Sequence, residues 1–271
     1  MRFLDTPRPR LFAHRGASGL RPENTLDAFG AGLEDGARIL ELDVHGSSDG
    51  HVVVIHDDVL DRTTDGQGPV RARTLAELRR LDAGYNFRDT DGDFPYRGKG
   101  IRIPLLTELL HGFPETPLNV EIKQLDPPIE KTVLELLDEY EARERVLLAA
   151  ADDRIMTRIR AAAPQALTGF SSGEVAEFLM RCKQNDFTGY RPPGAALQIP
   201  RFYQGLELVS PEALACAHSM GLEVHVWTVN EEQEMEGLLD LGIDGIMSDY
   251  PGRAAYMFSR RGLDSRTRGL E

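Results

Sequence analysis

The strongest constraint on the fold of this chain is a repeated unit in which a short apolar strand is followed by an amphipathic helix. In the first unit, an apolar stretch at 11–14 precedes residues 26–33, where apolar side chains recur with helical spacing after Thr25, a residue type that commonly caps helices. About eight such units follow one another, with predicted strands that start near residues 11, 38, 118, 145, 166, 195, 223 and 245. This alternation favours a parallel sheet, and the number of units predicts an α/β fold, a (β/α)8 TIM barrel.

An open doubly wound sheet is the alternative arrangement of the same units. Such sheets commonly carry a Gly-x-Gly-x-x-Gly turn after the first strand, and no such turn follows residue 14. The barrel is therefore the favoured fold. In a barrel, functional residues are expected where the strands end.

The size of the chain, 271 residues with a hydrophobic content of 41%, is sufficient for one well-buried core. We therefore expect a single domain over residues 1–271. One segment interrupts the repeat, because residues 57–102 are polar and rich in Gly and Asp, with only a short predicted helix at 75–81. Long segments of this kind are often functional. We expect residues 57–102 to form a small subdomain, inserted after the second strand region, over the mouth of the barrel.

The charge of the chain limits its partners. A formal net charge of -13 argues against nucleic acid, because binding nucleic acid depends on clustered Lys and Arg. No apolar run approaches the ~20 residues of a membrane-spanning helix, and residues 1–10 carry no leader pattern. We expect a cytoplasmic protein with a small-molecule substrate and no stable membrane insertion. The oligomeric state is left open.

The two cysteines, Cys182 and Cys216, lie in unrelated sequence contexts and lack the spacing of metal ligands. Neither a disulfide framework nor a zinc site is indicated. We expect two free thiols, buried or half-buried, in keeping with the usual burial of unpaired cysteine.

Three carboxylates are predicted to meet inside the barrel. Glu41 and Asp43 are two residues apart on one strand and therefore share a face, and Glu121 and Lys123 repeat this pattern on another strand. On an exposed face these pairs would only be solvated. Inside a closed barrel the carboxylates repel one another unless a cation joins them. The pattern predicts a site for one hard divalent cation, Mg²⁺ or Ca²⁺.

Two histidines follow apolar strands near this cluster. His14 and His56 titrate near neutral pH, so one is able to accept a proton while the other donates one. Arg15 and Lys123 would then hold a phosphate and supply the positive charge that the chain as a whole lacks. Ion pairs with neighbouring acids are the alternative role for both cations.

The remaining histidines carry weaker signals. His45 and His51 lie on or near a Gly-Ser-Ser-Asp-Gly turn and are expected at the surface. His225 and Trp227 share a face of one strand. Trp227, at the end of that strand, is either a platform for substrate or part of the barrel packing, and both roles stay open.

Short motifs along nearly the whole chain are the basis of a family resemblance. In order they are HRGA at 14–17, PENT at 22–25, ELDV at 41–44, DG at 49–50, HD at 56–57, LDRTT at 60–64, IP at 103–104, EIK at 121–123, VWTVN at 226–230 and GIDGI at 242–246. In this set the sequence resembles the glycerophosphodiester phosphodiesterase family. The clearest departure is HGSS at 45–48, where family members often have Gln or His followed by Leu-Thr-Lys, and it concerns affinity or specificity.

The resemblance implies a TIM barrel that hydrolyses glycerophosphodiesters to glycerol 3-phosphate and an alcohol, with a divalent cation. It also implies roles for individual residues: His14 and His56 as the acid/base pair, Glu41, Asp43 and Glu121 as metal ligands, Arg15 and Lys123 as phosphate contacts, and Asn24 and Trp227 as further substrate contacts.

A related activity, that of a lysophospholipase D acting on lysophospholipids, is the alternative. Aromatic residues in the insertion and in a later loop would cover an acyl chain, unless they only pack the insertion onto the barrel: Tyr85, Phe87, Phe94, Tyr96, Phe202 and Tyr203. A barrel that binds phosphorylated ligands without catalysis would not need both His14 and His56. The same holds for a lyase that uses Mg²⁺ to stabilise an enolate.

Overall fold

Parallel strands connected by helices make up most of the chain, as the repeated unit predicts. The computed structural model describes residues 1–263. Within that range the strands are β1 (Arg10–His14), β2 (Ile39–Gly46), β3 (Val52–Val54), β4 (Leu118–Ile122), β5 (Val146–Ala149), β6 (Ala196–Ile199), β7 (Phe202–Tyr203), β8 (Leu206–Glu207), β9 (Glu223–Val226) and β10 (Gly245–Ser248). The α-helices are α1 (Leu26–Glu34), α2 (Leu75–Leu78), α3 (Leu106–Gly112), α4 (Glu130–Glu139), α5 (Asp153–Ala162), α6 (Ser172–Gln184), α7 (Pro211–Ser219), α8 (Glu232–Leu241) and α9 (Pro251–Arg260).

The barrel is formed by eight parallel segments. Seven of them pair in the order β5-β4-β2-β1-β10-β9-β6. The eighth position is taken by residues 168–169, where Thr168 pairs with Leu148 of β5 and Gly169 pairs with Ala196 of β6. These two bridges join the ends of the sheet, so the predicted TIM barrel is confirmed.

Towards the strand ends, the side chains inside the barrel change from apolar to polar. One apolar cluster lies in the interior: Phe3, Phe12, Ile39, Leu147, Ala149, Ala196 and Met247. Alternate residues on a strand share a face, so His14 follows Phe12 inward, and Glu41 follows Ile39. Polar groups therefore occupy the interior where strands end.

Helix starts follow the sequence signals. The Thr25 side chain accepts a hydrogen bond from the backbone N–H of Ala28 at the start of α1. Ser210 does the same for Ala213 at the start of α7, where Pro211 is the first helical residue. Both caps satisfy backbone donors that the helix itself leaves free.

The short strand that precedes His56 does not belong to the parallel barrel. β3 runs antiparallel to the end of β2, with Val44 opposite Val54, and so returns the chain towards the barrel after the turn at 47–50. His56 therefore follows the β2–β3 hairpin and does not end a strand of the parallel barrel. The sequence could not reveal this direction, because the apolar run 52–55 has no feature that separates parallel from antiparallel pairing.

Residues 57–102 form a small apolar cluster with the segments that flank them. Its buried members are Val53, Ile55, Leu60, Val70, Leu78, Ala83 and Ile103. Tyr96 Oη donates to the carbonyl of Leu20, in the loop after β1. This contact supports the expected inserted subdomain over the barrel mouth, which remains a prediction.

The expectation of two free thiols is wrong. Cys182 on α6 and Cys216 on α7 form a disulfide, with Cα atoms 6.1 Å apart. The two cysteines are 34 residues apart in the sequence, with β6 and the β7–β8 hairpin between them, and only the packing of α6 beside α7 brings the two sulfurs together. That packing has no signature in the spacing of the two cysteines.

The expectation for His45 is wrong as well. Its side chain is buried and its Nε2 lies 3.0 Å from the carbonyl oxygen of His56, because β3 folds back over the end of β2. His51, in the turn, is exposed as expected.

Across residues 1–263, every helix is too short or too polar to cross a bilayer.

A buried charged network crosses the lower part of the barrel. Arg10 donates two hydrogen bonds of 2.7 Å to the carboxylate of Glu223, and His225 Nε2 lies 2.9 Å from the same group. Gln198 lies 3.3 Å from His225 Nδ1 and donates to Asn119 at 2.8 Å. Burial by itself would raise the pKa of Glu223, but the hydrogen bonds from Arg10 and His225 lower it to about 2.

Glu223→Gln is expected to destabilise the barrel by about 3 kcal/mol or more at pH 7, because it leaves the Arg10 charge buried without its partner. A carboxylate with a lowered pKa stabilises the fold above its unfolded pKa near 4.3, and this contribution is lost as the pH falls towards 2. Urea unfolding at pH 7, 4 and 3 should therefore show a difference from the parent protein that stays nearly constant down to about pH 5 and is smaller at pH 4 and pH 3. Glu144→Gln, which removes an exposed ion pair with Arg2, is the matched control. Equal stability of both variants would contradict a role for the buried pair.

Candidate active site

The three predicted carboxylates meet at the ends of two neighbouring strands. Glu41 and Asp43 project inward from β2, and Glu121 lies beside Asp43 on β4. One oxygen from each of the three lies within 4.8 Å of the others. Glu41 and Asp43 are buried, and Glu121 is partly buried. Oxygen ligands at this separation suit one hard divalent cation.

The electrostatics of this cluster also fit a cation. Burial and the neighbouring charge of Asp43 raise the pKa of Glu41 to about 8. Burial would raise the pKa of Asp43 too, but the charges of Lys123 and Arg15 lower it. The crowded charge on Glu41 is thus only partly balanced by the chain's own cations, and a divalent ion would relieve the remaining repulsion.

Two cations border the cluster. Lys123 Nζ lies 3.1 Å from Glu121 and 3.6 Å from Asp43. The backbone N–H of Arg15 donates to Glu41 at 3.0 Å, and its Nε lies 3.4 Å from Asp43 without forming a hydrogen bond. The ion pairs expected as the alternative role of both cations are present, and both side chains still line the open cavity.

Asn24 is placed behind the carboxylates. Its amide donates to Asp43 Oδ2 at 2.9 Å and accepts from the Asp43 backbone N–H at 3.3 Å. Both contacts fix the orientation of Asp43. Both polar atoms of the Asn24 side chain are thus bonded to Asp43. Its role as a substrate contact remains a prediction.

His14 is oriented by a carboxylate that the sequence analysis did not single out. Its Nδ1 lies 2.7 Å from Asp249, and its Nε2 lies 3.9 Å from Glu41. Asp249 also accepts from Ser18 at 2.7 Å and from Asn230 at 2.8 Å. Burial would lower the pKa of His14, but the bond to Asp249 and the charge of Glu41 raise it above its usual value. The sequence feature that could have pointed to Asp249 is its position directly after the apolar strand β10.

His56 is held in the same manner. Its Nδ1 lies 2.6 Å from Asp57, which accepts two hydrogen bonds from Arg62 at 2.7 and 3.0 Å. Arg62 also pairs with Glu23, and Glu23 accepts from Arg15 at 3.0 Å. Through these contacts the insertion connects the second histidine to the loop after β1.

One cavity of about 1130 Å³ connects the predicted site residues. His14, Arg15, Glu41, Asp43, His56, Glu121, Lys123 and Trp227 all line it. Trp227 keeps 42% of its surface exposed, so it is available to a ligand, whereas His225 is fully buried. Every predicted site residue except Asn24 therefore reaches the same space.

The sequence pattern described as "Glycerophosphoryl diester phosphodiesterase family" matches residues 14–253. The chain belongs to this family. A glycerophosphodiester phosphodiesterase of Caldanaerobacter subterraneus is 34% identical over 89% of this chain and 94% of its own length. The lysophospholipase D GDPD1 of Mus musculus is 31% identical over 92% of this chain and 85% of its own length.

A solved structure extends the comparison to three dimensions. The phosphodiesterase of Oleispira antarctica in complex with the product sn-glycerol-3-phosphate shares 26% identity and superposes with a TM-score of 0.76, over 93% of this chain and 97% of that one. Fold and family therefore agree. The family is one of phosphoric diester hydrolases, and the buried carboxylates provide a candidate metal site.

Asp249→Asn should lower kcat by about 10²-fold, because the charge that orients His14 and raises its pKa is removed. The limb of the pH–rate profile that reports His14 should move to lower pH, which a merely structural defect would not cause. Asp240→Asn, an exposed carboxylate paired with Arg261, is the control and should leave both readouts unchanged. A profile unaltered by Asp249→Asn would show that Asp249 does not position His14.

Proposed function

We propose that this protein hydrolyses glycerophosphodiesters to glycerol 3-phosphate and an alcohol. The observation that carries the proposal is the placement of two carboxylate-oriented histidines beside three clustered carboxylates in one cavity. Each histidine bonds its carboxylate through Nδ1, which leaves Nε2 for proton exchange with a substrate. The named relatives and the product complex of the Oleispira enzyme support the same reaction.

Glu41, Asp43 and Glu121 would hold one divalent cation, Mg²⁺ or Ca²⁺. When bound, the cation would neutralise charge on the phosphate and lower the pKa of a hydroxyl or water in contact with it. Asn24 keeps the Asp43 carboxylate turned into the cavity. Lys123 and Arg15 would hold the phosphate oxygens, since both side chains line the cavity beside the carboxylates.

The histidines would perform the proton transfers. One accepts a proton from the attacking oxygen, which belongs either to the neighbouring glycerol hydroxyl or to water, while the bond from that oxygen to phosphorus forms. The other donates a proton to the oxygen of the departing alcohol as its bond to phosphorus breaks. If the glycerol hydroxyl attacks, a cyclic phosphate results, and water then opens it with the two histidines in exchanged roles. The net reaction consumes one water.

A lysophospholipase D reaction is the second candidate. The aromatic residues of the insertion do not support it, because Phe87 packs edge-on against Tyr96, and Arg97 covers Tyr85 and Phe94. The size of the cavity and the mouse relative do support it.

The expected cytoplasmic location stays a prediction. The Cys182–Cys216 disulfide weighs against it, because reducing compartments keep most protein thiols unpaired.

Choline release from glycerophosphocholine should depend on added metal. Excess chelator should abolish turnover by the purified protein, and either Mg²⁺ or Ca²⁺ should restore it, because the carboxylates otherwise repel the phosphate. A chelated sample restored only by zinc would contradict the choice of a hard cation. Equal release with and without chelator would remove metal from the reaction.

His14→Ala and His56→Ala should each lower kcat by about 10²-fold or more with KM largely kept, because each removes a proton transfer and no phosphate contact. The matched control is His51→Ala, which changes an exposed histidine in the turn before β3. A variant with near-native kcat would exclude that histidine from the mechanism.

A further inference from the structure

The cavity that holds the carboxylates continues well beyond them. Its volume of about 1130 Å³ exceeds the range of roughly 300–1,000 Å³ that is usual for pockets of small ligands. From the carboxylates it extends over the ends of β5 and β6 to α6, the β7–β8 hairpin and the first turn of α7. A glycerol phosphate group would fill only part of this space.

Helix α6 forms one wall of the extension with several apolar side chains. Phe178 is fully buried and packs against Phe170 and Phe187. Val175 and Leu179, four residues apart on one face of the helix, are partly buried against the core. Both line the cavity, as does Met180, which is 53% exposed.

The opposite part of the lining comes from the hairpin. Its turn residues, Gln204 and Gly205, both have positive φ (48° and 81°), the conformation of a tight two-residue hairpin. Tyr203 and Leu206 are 58% and 66% exposed and line the cavity together with Leu208. Large apolar side chains grouped around one opening are a typical feature of a binding site.

We propose that this apolar trough, formed by Val175, Leu179, Met180, Tyr203, Leu206 and Leu208, binds the acyl or alkyl chain of a lysophospholipid. The phosphodiester of the same molecule would lie at the carboxylate cluster. The proposal deepens the proposed function and rests on it, since it names the substrate class of the same site.

The trough is continuous with the carboxylate site, and this favours a chain attached to the substrate over a membrane surface as its occupant. A chain attached to the substrate reaches the trough without a second binding event, because trough and carboxylates line one cavity. An anionic membrane surface is a poorer match, because the chain carries a net charge of -13 and Glu207 and Glu212 lie along the same cavity.

The disulfide contributes to the rigidity of the trough. Cys182 lines the cavity and is bonded to Cys216 of α7, so the α6 wall is fixed to its neighbour before any ligand binds. A preformed wall lowers the ordering cost of binding a flexible chain.

The first test measures binding without catalysis. Trp227 is the sole tryptophan and lines the same cavity, so its fluorescence reports a ligand there. The His56→Ala variant with Mg²⁺ added, which keeps the carboxylates but lacks one proton transfer, is titrated with hexylphosphocholine and octylphosphocholine as monomers, with phosphocholine as the chain-free reference. Affinity should rise by roughly two- to fourfold per methylene. No dependence on chain length would overturn the proposal.

A pair of variants locates the chain. Leu206→Glu places a charge in the trough at an exposed position, and the affinity for octylphosphocholine should fall by about tenfold or more. Leu4→Glu makes the same change at a side chain 52% exposed outside the cavity and should have no effect. Circular dichroism confirms that both variants are folded. Equal affinity in the two variants would exclude the trough.

Turnover separates this inference from the proposed function. Choline release is compared for glycerophosphocholine and its hexanoyl and octanoyl derivatives, below micelle formation. The ratio of kcat/KM for the octanoyl compound to that for the deacylated compound should be well above one and should fall about tenfold in Leu206→Glu. Release from glycerophosphocholine with a ratio of one or less would keep the proposed function and reject the trough. Chain-dependent fluorescence without any choline release would reject the proposed function alone.

Discussion

Mutual repulsion of three carboxylates inside a closed barrel is the constraint on which the rest of the site depends. Glu41, Asp43 and Glu121 are held together by the register of β2 and β4, and burial makes their charges costly. Arg15 and Lys123 compensate part of that charge, and Asn24 fixes one of the carboxylates. The remaining negative charge is what a divalent cation would neutralise.

The two histidines are oriented in the same way, each by a carboxylate, although they come from different parts of the chain. His14 ends a barrel strand and is held by Asp249 from the last strand, while His56 comes from the β3 extension and is held by Asp57. In both, the carboxylate occupies Nδ1 and leaves Nε2 free. Residues of the insertion orient His56, because Arg62 donates hydrogen bonds to Asp57 and to Glu23 in the loop after β1.

The side of the cavity far from the insertion has a different chemistry. The aromatic residues of the insertion, which were expected to cover an acyl chain, contact arginines and one another instead, whereas Tyr203 of the later loop does line the cavity. The apolar lining is provided instead by α6 and the β7–β8 hairpin, and the disulfide ties α6 to α7. If both proposals hold, substrate range and catalysis depend on opposite sides of one opening.

The barrel and most of the candidate site could be predicted from the sequence, because strand–helix alternation is periodic and residues two apart on a strand share a face. Glu41, Asp43 and Glu121 were accessible to that reasoning. The sequence did not reveal the Cys182–Cys216 disulfide, the burial of His45 or the pairing of His14 with Asp249. Each of these depends on the distance between segments far apart in the chain, and local periodicity carries no information about such distances.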